Sequence, residues 1–385
     1  MTLRLAILGC GGIAATHLQS LKELSDFNVS YICDIDDEKA NDLAINSPGS
    51  QIENSMDMII TNKEIDIVDI CLPPHLHFST ALKFLKAGKH VICEKPLSTS
   101  VNEAQKLIDV SNSMNKNLYP VFQYRYGKHI LILKDLISKG KTGKPIVASS
   151  EVHWNRNEEY YNVPWRGSWE GEGGGAILSH AIHSHDLLSY FFGNIKSVSA
   201  NISTLVNQIE TEDCASIAMT TEFGALITSS ITLGAANDTT RLKLVFEKIS
   251  VESGNNPYAP GEDEWIYTAR DPNKKNELDN LIFEAKKNIL QDHNGFTSFF
   301  QEVANHLMGK KSNIIKPEDG LKSIELVAAI YHAARTECKV YLPLDTNSLI
   351  CKDWKPKKTS DFKAYCYVEQ NNVNGSKYTE KCIEY

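Results

Sequence analysis

The sequence predicts an α/β protein in two parts: a doubly wound parallel sheet, then an α/β domain with a large open, mainly antiparallel sheet. Three observations carry this. Short apolar runs alternate with helical stretches over the first 120 residues, a glycine-rich turn sits at the first strand–helix junction, and beyond residue 196 strands follow strands with few helices between them.

The first part builds in order. "LRLAIL" (3–8), "NVSYIC" (28–33), "IDIVDICL" (65–72), "KHVIC" (89–93) and "NLYPVF" (117–122) read as strands buried on both faces. Helical periodicity fills 13–25, 37–46, 78–87 and 101–115 between them. After Tyr126 the rhythm changes: a helix near 128–139, "PIVASSEVHW", a Trp/Gly/Glu-rich loop, and "GGGAILSHAIHSHDLLSYFFG" over 173–193. The strands "SVSANISTLV", "CASIAMTTEF", "ALITSSITL" and "RLKLVFEK" come next, with an "EFGA" hairpin turn joining two of them. Helices resume at 293–309 and 317–336, and "KVYLPL" forms a last short strand. Expected boundaries are 1–123, 124–345 and a tail, 346–385, whose six Trp, Phe and Tyr residues suit packing on the body or on a partner.

Composition narrows the class. Of the 385 residues 42% are hydrophobic and 23% charged, as in an ordinary soluble globular protein. The net charge of −8 argues against nucleic acid or an anionic membrane as main partner, and no apolar run has the length of a membrane span. "MTLRLAILGCGG" enters a strand at once, leaving no room for a signal peptide. The nine cysteines are scattered, with Cys33, Cys71 and Cys93 inside apolar runs, so reduced thiols in the cytoplasm are the simplest expectation.

Gly9-x-Gly11-x-x-Ala14 opens the first helix. Gly9 permits the tight turn, Gly11 lets backbone approach a pyrophosphate, and Ala14 allows close helix–strand packing. The helix N-terminus behind them, beginning at Gly12 and Ile13, offers free amides to phosphate. This is the pattern of a Rossmann dinucleotide-binding domain. Asp34 ends the second strand, where a carboxylate accepts from adenosine ribose hydroxyls and repels a 2′-phosphate, which points to NAD over NADP. Asp36 fits better than Asp34 as the cap of the next helix.

Glu94-Lys95-Pro96 falls at the carboxyl end of a later parallel strand, the edge where open sheets bind ligands. A lysine there can stabilise charge on a reacting oxygen. The tripeptide alone fits a surface turn equally well. Pro74 and His77, in "PPHLHF", open a helix at the same end and join the expected cofactor-binding set, although His77 also suits a structural role.

"ILGCGGIAATH", "VDICLPPHLHFSTALKFLKAGKHVICEKPL", "GKPIVASSE", the glycine–histidine stretch and "EDCASIAMTTEFGALITSSITL" stand in the order found in the Gfo/Idh/MocA family, which the chain resembles over residues 3 to about 343. The resemblance implies NAD(P)-linked oxidation or reduction at a carbon–oxygen centre of a sugar or cyclitol. It also implies an open sheet that packs on another subunit to give a homodimer or homotetramer. By it, Lys95 matches the family's active-site lysine and His183 its proton-transfer histidine. Many members carry Asp where this chain has Ser179, followed by His180; either residue here can bond substrate.

At roughly 100° per residue, Ala181, Leu187, Leu188 and Phe191 form an apolar stripe, with His183 and Asp186 beside it and His185 opposite. Three glycines before the helix would leave a cleft open beside His183, and a neutral imidazole there can accept a hydroxyl proton. His180, His183 and Asp186 at i, i+3, i+6 drift around a helix and lack a convincing fourth ligand, so no metal is expected. "WNRNEEYYNVPWRGSWEGE" holds three tryptophans, two tyrosines and two arginines, and Trp165 and Arg166 suit a carbohydrate ring as well as they suit packing. Tyr124 and Arg125, after the last parallel strand, complete the substrate set.

The expected activity is hydride transfer between a secondary alcohol of a sugar, sugar derivative or cyclitol and NAD. Two rivals stand beside it: a redox-neutral conversion on tightly held NAD, such as glycosidic cleavage, and a non-enzymatic nucleotide sensor on the same fold.

Overall fold

Strands buried on both faces need a layer of helices on each side, and the computed structural model supplies them. It describes residues 2–289 and 295–356, with two further strands at 364–370 and 377–383. The chain divides into two compact units: residues 1–131 with 289–324, and 132–288 with 325–385.

In the first unit β1 (Leu3–Leu8), α1 (Gly12–Lys22), β2 (Phe27–Cys33), α2 (Asp37–Ile45), β3 (Gln51–Glu53), α3 (Met56–Thr61), β4 (Ile67–Ile70), α4 (Pro74–Lys86), β5 (His90–Cys93), α5 (Val101–Ser113) and β6 (Leu118–Pro120) alternate. The six strands are parallel in the order β3-β2-β1-β4-β5-β6, a doubly wound sheet whose order reverses between β1 and β4. Phe84, Leu85, Ala104 and Leu107 of α4 and α5 pack on Ala6, Val68, Ile70 and Val91, each at 0% exposure. Burying Phe84 alone is worth about 1.5–3 kcal/mol. Asp36 caps α2, its carboxylate accepting from the Glu38 and Lys39 amides. The short β3 and α3 lack the apolar periodicity that made the other elements readable.

The second unit runs through α6 (Lys128–Ser138), β7 (Pro145–Asn155), α7 (Glu158–Tyr161), a π-helical turn over Ile177–Ala181, α8 (Ile182–Phe192), β8 (Ile195–Ser203), β9 (Cys214–Thr221), β10 (Leu226–Thr232), β11 (Gly234–Phe246), β12 (Ile249–Glu252), β13 (Ile266–Ala269) and α9 (Lys275–Asn288). The chain then returns to the first unit with α10 (Gly295–Leu307), continues through α11 (Pro317–Thr336), and ends with β14 (Val340–Tyr341), α12 (Leu349–Lys352), β15 (Ala364–Gln370) and β16 (Lys377–Ile383). Contiguous boundaries at 123 and 345 do not contain this return. Its basis is packing: α10 sets Phe299 and Phe300, both at 0% exposure, into the first unit's core, with Thr297 bonded to Glu23 beyond α1.

The eight-stranded sheet has the order β13-β12-β11-β7-β10-β9-β8-β14, antiparallel at every step except β7–β10. Residues 222–225 form the expected hairpin, with Gly224 at φ +84° and its amide bonded to Thr221. Six described cysteines are free, but Cys338 is disulfide-bonded and departs from the expectation of reduced thiols. The start of the tail packs down: Trp354 is fully buried, its indole nitrogen 2.7 Å from the Gly173 carbonyl.

Candidate active site

The turn between β1 and α1 explains its own glycines. Gly9 has φ +91°, and a Cβ there would lie 2.7 Å from the Cys71 carbonyl oxygen, so backbone approach requires glycine. Gly11 and Gly12 have no atom within 4 Å of a built Cβ and border open space. Gly11 caps α1 with no side-chain partner, leaving the first amides, from Gly12 and Ile13 onward, for an anion. Ala14 is fully buried against the sheet. At the end of β2, Asp34 Oδ2 accepts from the Cys10 amide at 2.7 Å and Oδ1 from the Asp36 amide at 2.9 Å. The carboxylate is thus oriented beside the glycine loop. Open space over the loop and a fixed acid at the next strand fit a dinucleotide.

Glu94 and Lys95 follow β5 directly. Glu94 is buried and Lys95 half-buried, and the Lys95–Pro96 peptide is cis. Glu94 Oε2 accepts from the Lys95 amide at 3.0 Å, and Oε1 lies 3.1 Å from His17 Nε2. Pro74 is the first residue of α4, where its missing amide costs nothing. One turn on, His77 sits between two carbonyls, Nδ1 2.6 Å from Pro96 O and Nε2 2.7 Å from Leu72 O. Burial pushes its pKa down against those two acceptors. His77 therefore ties α4 to the turn that carries Lys95. Arg125 pairs with Asp319 at 3.1 Å, and the neighbouring Tyr124 is buried.

His183 belongs to the second unit. Its helix begins as the π-helical turn, and α8 is buried all round: His183, His185 and Asp186 are as enclosed as Leu187 and Phe191. The expected division into an apolar stripe and a polar side does not hold, because His183, His185 and Asp186 are buried like the apolar residues of α8. His185 shows this, bonded at 3.0 Å to Ser229 of β10, with burial lowering its pKa to about 4. Two of the three glycines, Gly174 and Gly175, have a reason in packing. A Cβ on Gly174 would overlap the Tyr331 hydroxyl and one on Gly175 the Glu212 carbonyl, so their bareness serves close packing. Glu212 then caps the helix start: its carboxylate accepts from Gly175 N (3.1 Å), Ile177 N (3.0 Å) and Tyr331 Oη (3.0 Å). Burial outweighs these donors and raises its pKa to about 7.

Four residues before His183, Ser179 donates to Glu172 Oε1 at 2.6 Å, while Glu172 Oε2 accepts from Gly167 N at 2.7 Å. His180 Nε2 is 3.3 Å from Tyr160 Oη, and its ring stands edge-on to Trp154. Arg166 bonds the same tyrosine hydroxyl and stacks on Tyr160 and Trp165, 4.0 and 4.5 Å from the ring centres. Arg156 lies over Trp154 at 4.8 Å and pairs with Asp238 at 3.0 Å. The second unit thus gathers Trp165, Arg166, Ser179 and His180 around Tyr160 and Glu172.

Sequence reasoning missed Glu172, Glu212 and Tyr331, whose partners are set by tertiary packing. It also passed over His17 and Asp69, although a histidine and an aspartate inside apolar patterns were a usable signal. Among the described residues, the His/Cys/Asp group close enough to share an ion is His17, Asp69 and Cys71, with ligand atoms within 4.8 Å, and His180, His183 and Asp186 form no such group. Hydrogen-bond distances of 2.9 Å (His17–Asp69) and 3.4 Å (His17–Cys71) account for it without an ion.

A doubly wound sheet with an open glycine loop and an oriented acid, followed by a mixed-sheet domain, defines a two-domain dinucleotide-binding protein. The chain belongs to the Gfo/Idh/MocA oxidoreductase family: residues 3–122 match its NAD-binding Rossmann fold and residues 134–342 its C-terminal alpha/beta domain. It is 26% identical to the D-glucoside 3-dehydrogenase of Escherichia coli over 88% of this chain and 97% of that one. It is 28% identical to the glucose-6-phosphate 3-dehydrogenase of Bacillus subtilis over 54% and 59%. The chain spans about half the length of several curated relatives it matches. The crystal structure of the WlbA dehydrogenase from Bordetella pertussis, in complex with NADH and UDP-GlcNAcA, superposes with TM-score 0.79 at 27% identity, covering 89% of this chain and 99% of that one.

Proposed function

We propose that the protein is an NAD-dependent dehydrogenase acting on a secondary alcohol of a sugar, sugar derivative or cyclitol. The observation that carries this is in the first unit: the open Gly11–Gly12 loop and the Asp34 carboxylate, with Lys95 at the carboxyl end of β5 in the same sheet. Relatives named as sugar dehydrogenases support the substrate class, as does the Trp165–Arg166–Tyr160 stack, which suits a ring bearing C–H patches and hydroxyls.

In this reading the α1 amides hold the pyrophosphate, and Asp34 accepts from the adenosine ribose and excludes a 2′-phosphate. NAD, when bound, supplies the hydride acceptor. Lys95 donates a hydrogen bond to the reacting oxygen and stabilises its charge. His183 takes the hydroxyl proton. Ser179, His180, Arg125 and Tyr124 are proposed to shape the substrate site. The second unit's sheet is proposed to form a homodimer or homotetramer contact, and the protein to work in the cytoplasm. Among the described residues no helix is long and apolar enough to cross a membrane.

The test is a panel of sugars, uronic acids, sugar phosphates and cyclitols with protein and NAD, read by reduced-nicotinamide absorbance. A substrate-dependent rise that Lys95→Met abolishes is expected. A flat trace with NAD demonstrably bound contradicts net dehydrogenation of these classes.

A further inference from the structure

His17 lies on the buried face of α1, at 0% exposure, its ring against Phe296 and Phe300 of α10. Nδ1 is 2.9 Å from Asp69 Oδ2 and Nε2 3.1 Å from Glu94 Oε1. Asp69 is fully buried in the middle of β4, between Ile7 of β1 and Ile92 of β5. Two carboxylates on opposite nitrogens of one ring are both satisfied only when each nitrogen carries a proton. A buried carboxylate left without that partner is strongly destabilising.

The charges agree with the geometry. Burial pushes the His17 pKa down, but the charge and hydrogen bond of Asp69 oppose it, and the ring is held above its ordinary value. Burial pushes Glu94 up, but the His17 bond and charge bring it below its ordinary value. Cys71 is itself raised to about 12 by burial, then by Asp69, so it stays a neutral thiol. The groups facing this bridge are Asp69 and Cys71 from β4, Cys93, Glu94 and Lys95 from the β5 end, and His77 from α4; Phe296 and Phe300 of α10 pack on the ring.

We propose that His17 is a positioning residue: as an imidazolium spanning Asp69 and Glu94, it fixes the turn that carries Lys95 to the helix that opens the dinucleotide loop. The link is continuous. α1 starts at Gly12 in that loop, His17 is bonded to Glu94, and the other oxygen of Glu94 holds the Lys95 amide at 3.0 Å. One residue thereby sets the lysine relative to the cofactor-binding helix. This rests on the reading of Lys95 as the substrate-facing group.

Two measurements on the full chain test it. Ring nitrogen NMR of the histidine-labelled protein is expected to show His17 doubly protonated at neutral pH; a neutral ring there overturns the bridge, and no substrate is needed. Kinetics then use the panel compound that reduces NAD. His17→Gln is expected to lower kcat on the order of tenfold to a hundredfold, with NAD affinity and substrate KM little changed. In Asp69→Asn the ring has lost one counter-charge and titrates nearer neutrality, so kcat gains a limb that falls as pH rises. An equal loss at every pH in Asp69→Asn, or wild-type turnover in His17→Gln, overturns the positioning role. Lys95→Met separates the two failures: if it turns over normally the underlying reading fails, and if it is inactive while His17→Gln is normal only this inference does.

Discussion

Ser179 donates a 2.6 Å hydrogen bond to the buried carboxylate of Glu172, which joins the loop before the glycines to the helix turn preceding His183. Glu172 also holds the Gly167 amide and lies 3.9 Å from the Arg166 guanidinium. Removing the hydroxyl leaves a buried charge one donor short, a loss of about 1.5–3 kcal/mol. Ser179→Ala should therefore lower the denaturant midpoint, and Ser179→Thr should restore much of it. A midpoint unchanged in Ser179→Ala would remove the pairing from the account.

Glycines that look alike in sequence should answer differently to alanine. Gly175→Ala places a Cβ on the Glu212 backbone and should cost at least about 1–3 kcal/mol. Gly11→Ala enters open space at an ordinary φ of −75°, so the protein should fold as stably as wild type while binding NAD more weakly. Melting curves with and without NAD separate the two effects.

Glu212 predicts a pH dependence with a definite sign. Its folded pKa, about 7, lies above the ordinary 4.5, with burial as the main cause. The folded state therefore holds a proton that the unfolded state releases. The stabilisation is complete below about pH 4.5 and is lost as pH rises through 7. His185 acts oppositely: its pKa is lowered to about 4 by burial, so stability falls as pH drops below 6.5. Glu212→Gln should flatten the decline between pH 5 and about 8 and leave the acid-side loss in place. Thermal unfolding across that range is the check.

Asp34 should decide the nucleotide. Its carboxylate is already held by the Cys10 and Asp36 amides, so it cannot turn aside from a 2′-phosphate. Wild type should bind NAD more tightly than NADP, and Asp34→Ser should narrow the difference by roughly tenfold or more. Calorimetric titration with both nucleotides measures it directly.

The glycine loop, Asp34 and the Lys95 turn were legible because each depends on a local strand–turn–helix pattern and on which end of a parallel strand it occupies. The alternation of the first 122 residues and the 222–225 hairpin were legible for the same reason. The helix of His183 was visible, but its π-helical start, its all-round burial and the true reason for Gly174 and Gly175 were not. Those depend on Tyr331 and Glu212, which reach it from well over thirty residues away in sequence. β12, β13 and α9 went unread since short or polar segments gain their order from neighbours, not from their own periodicity. Ser179 lies only seven residues from Glu172, so the acid was near at hand in sequence, but nothing in the spacing says that the loop folds back.

We propose that Lys95 and His183 handle charge and proton for hydride transfer to NAD. The most direct measurement is the turnover of Lys95→Met and His183→Asn beside wild type on the active panel compound, with NAD affinity measured on each protein. The account predicts a fall in kcat of about a hundredfold or more in both, with NAD bound as in wild type. Turnover close to wild type in either variant would contradict it.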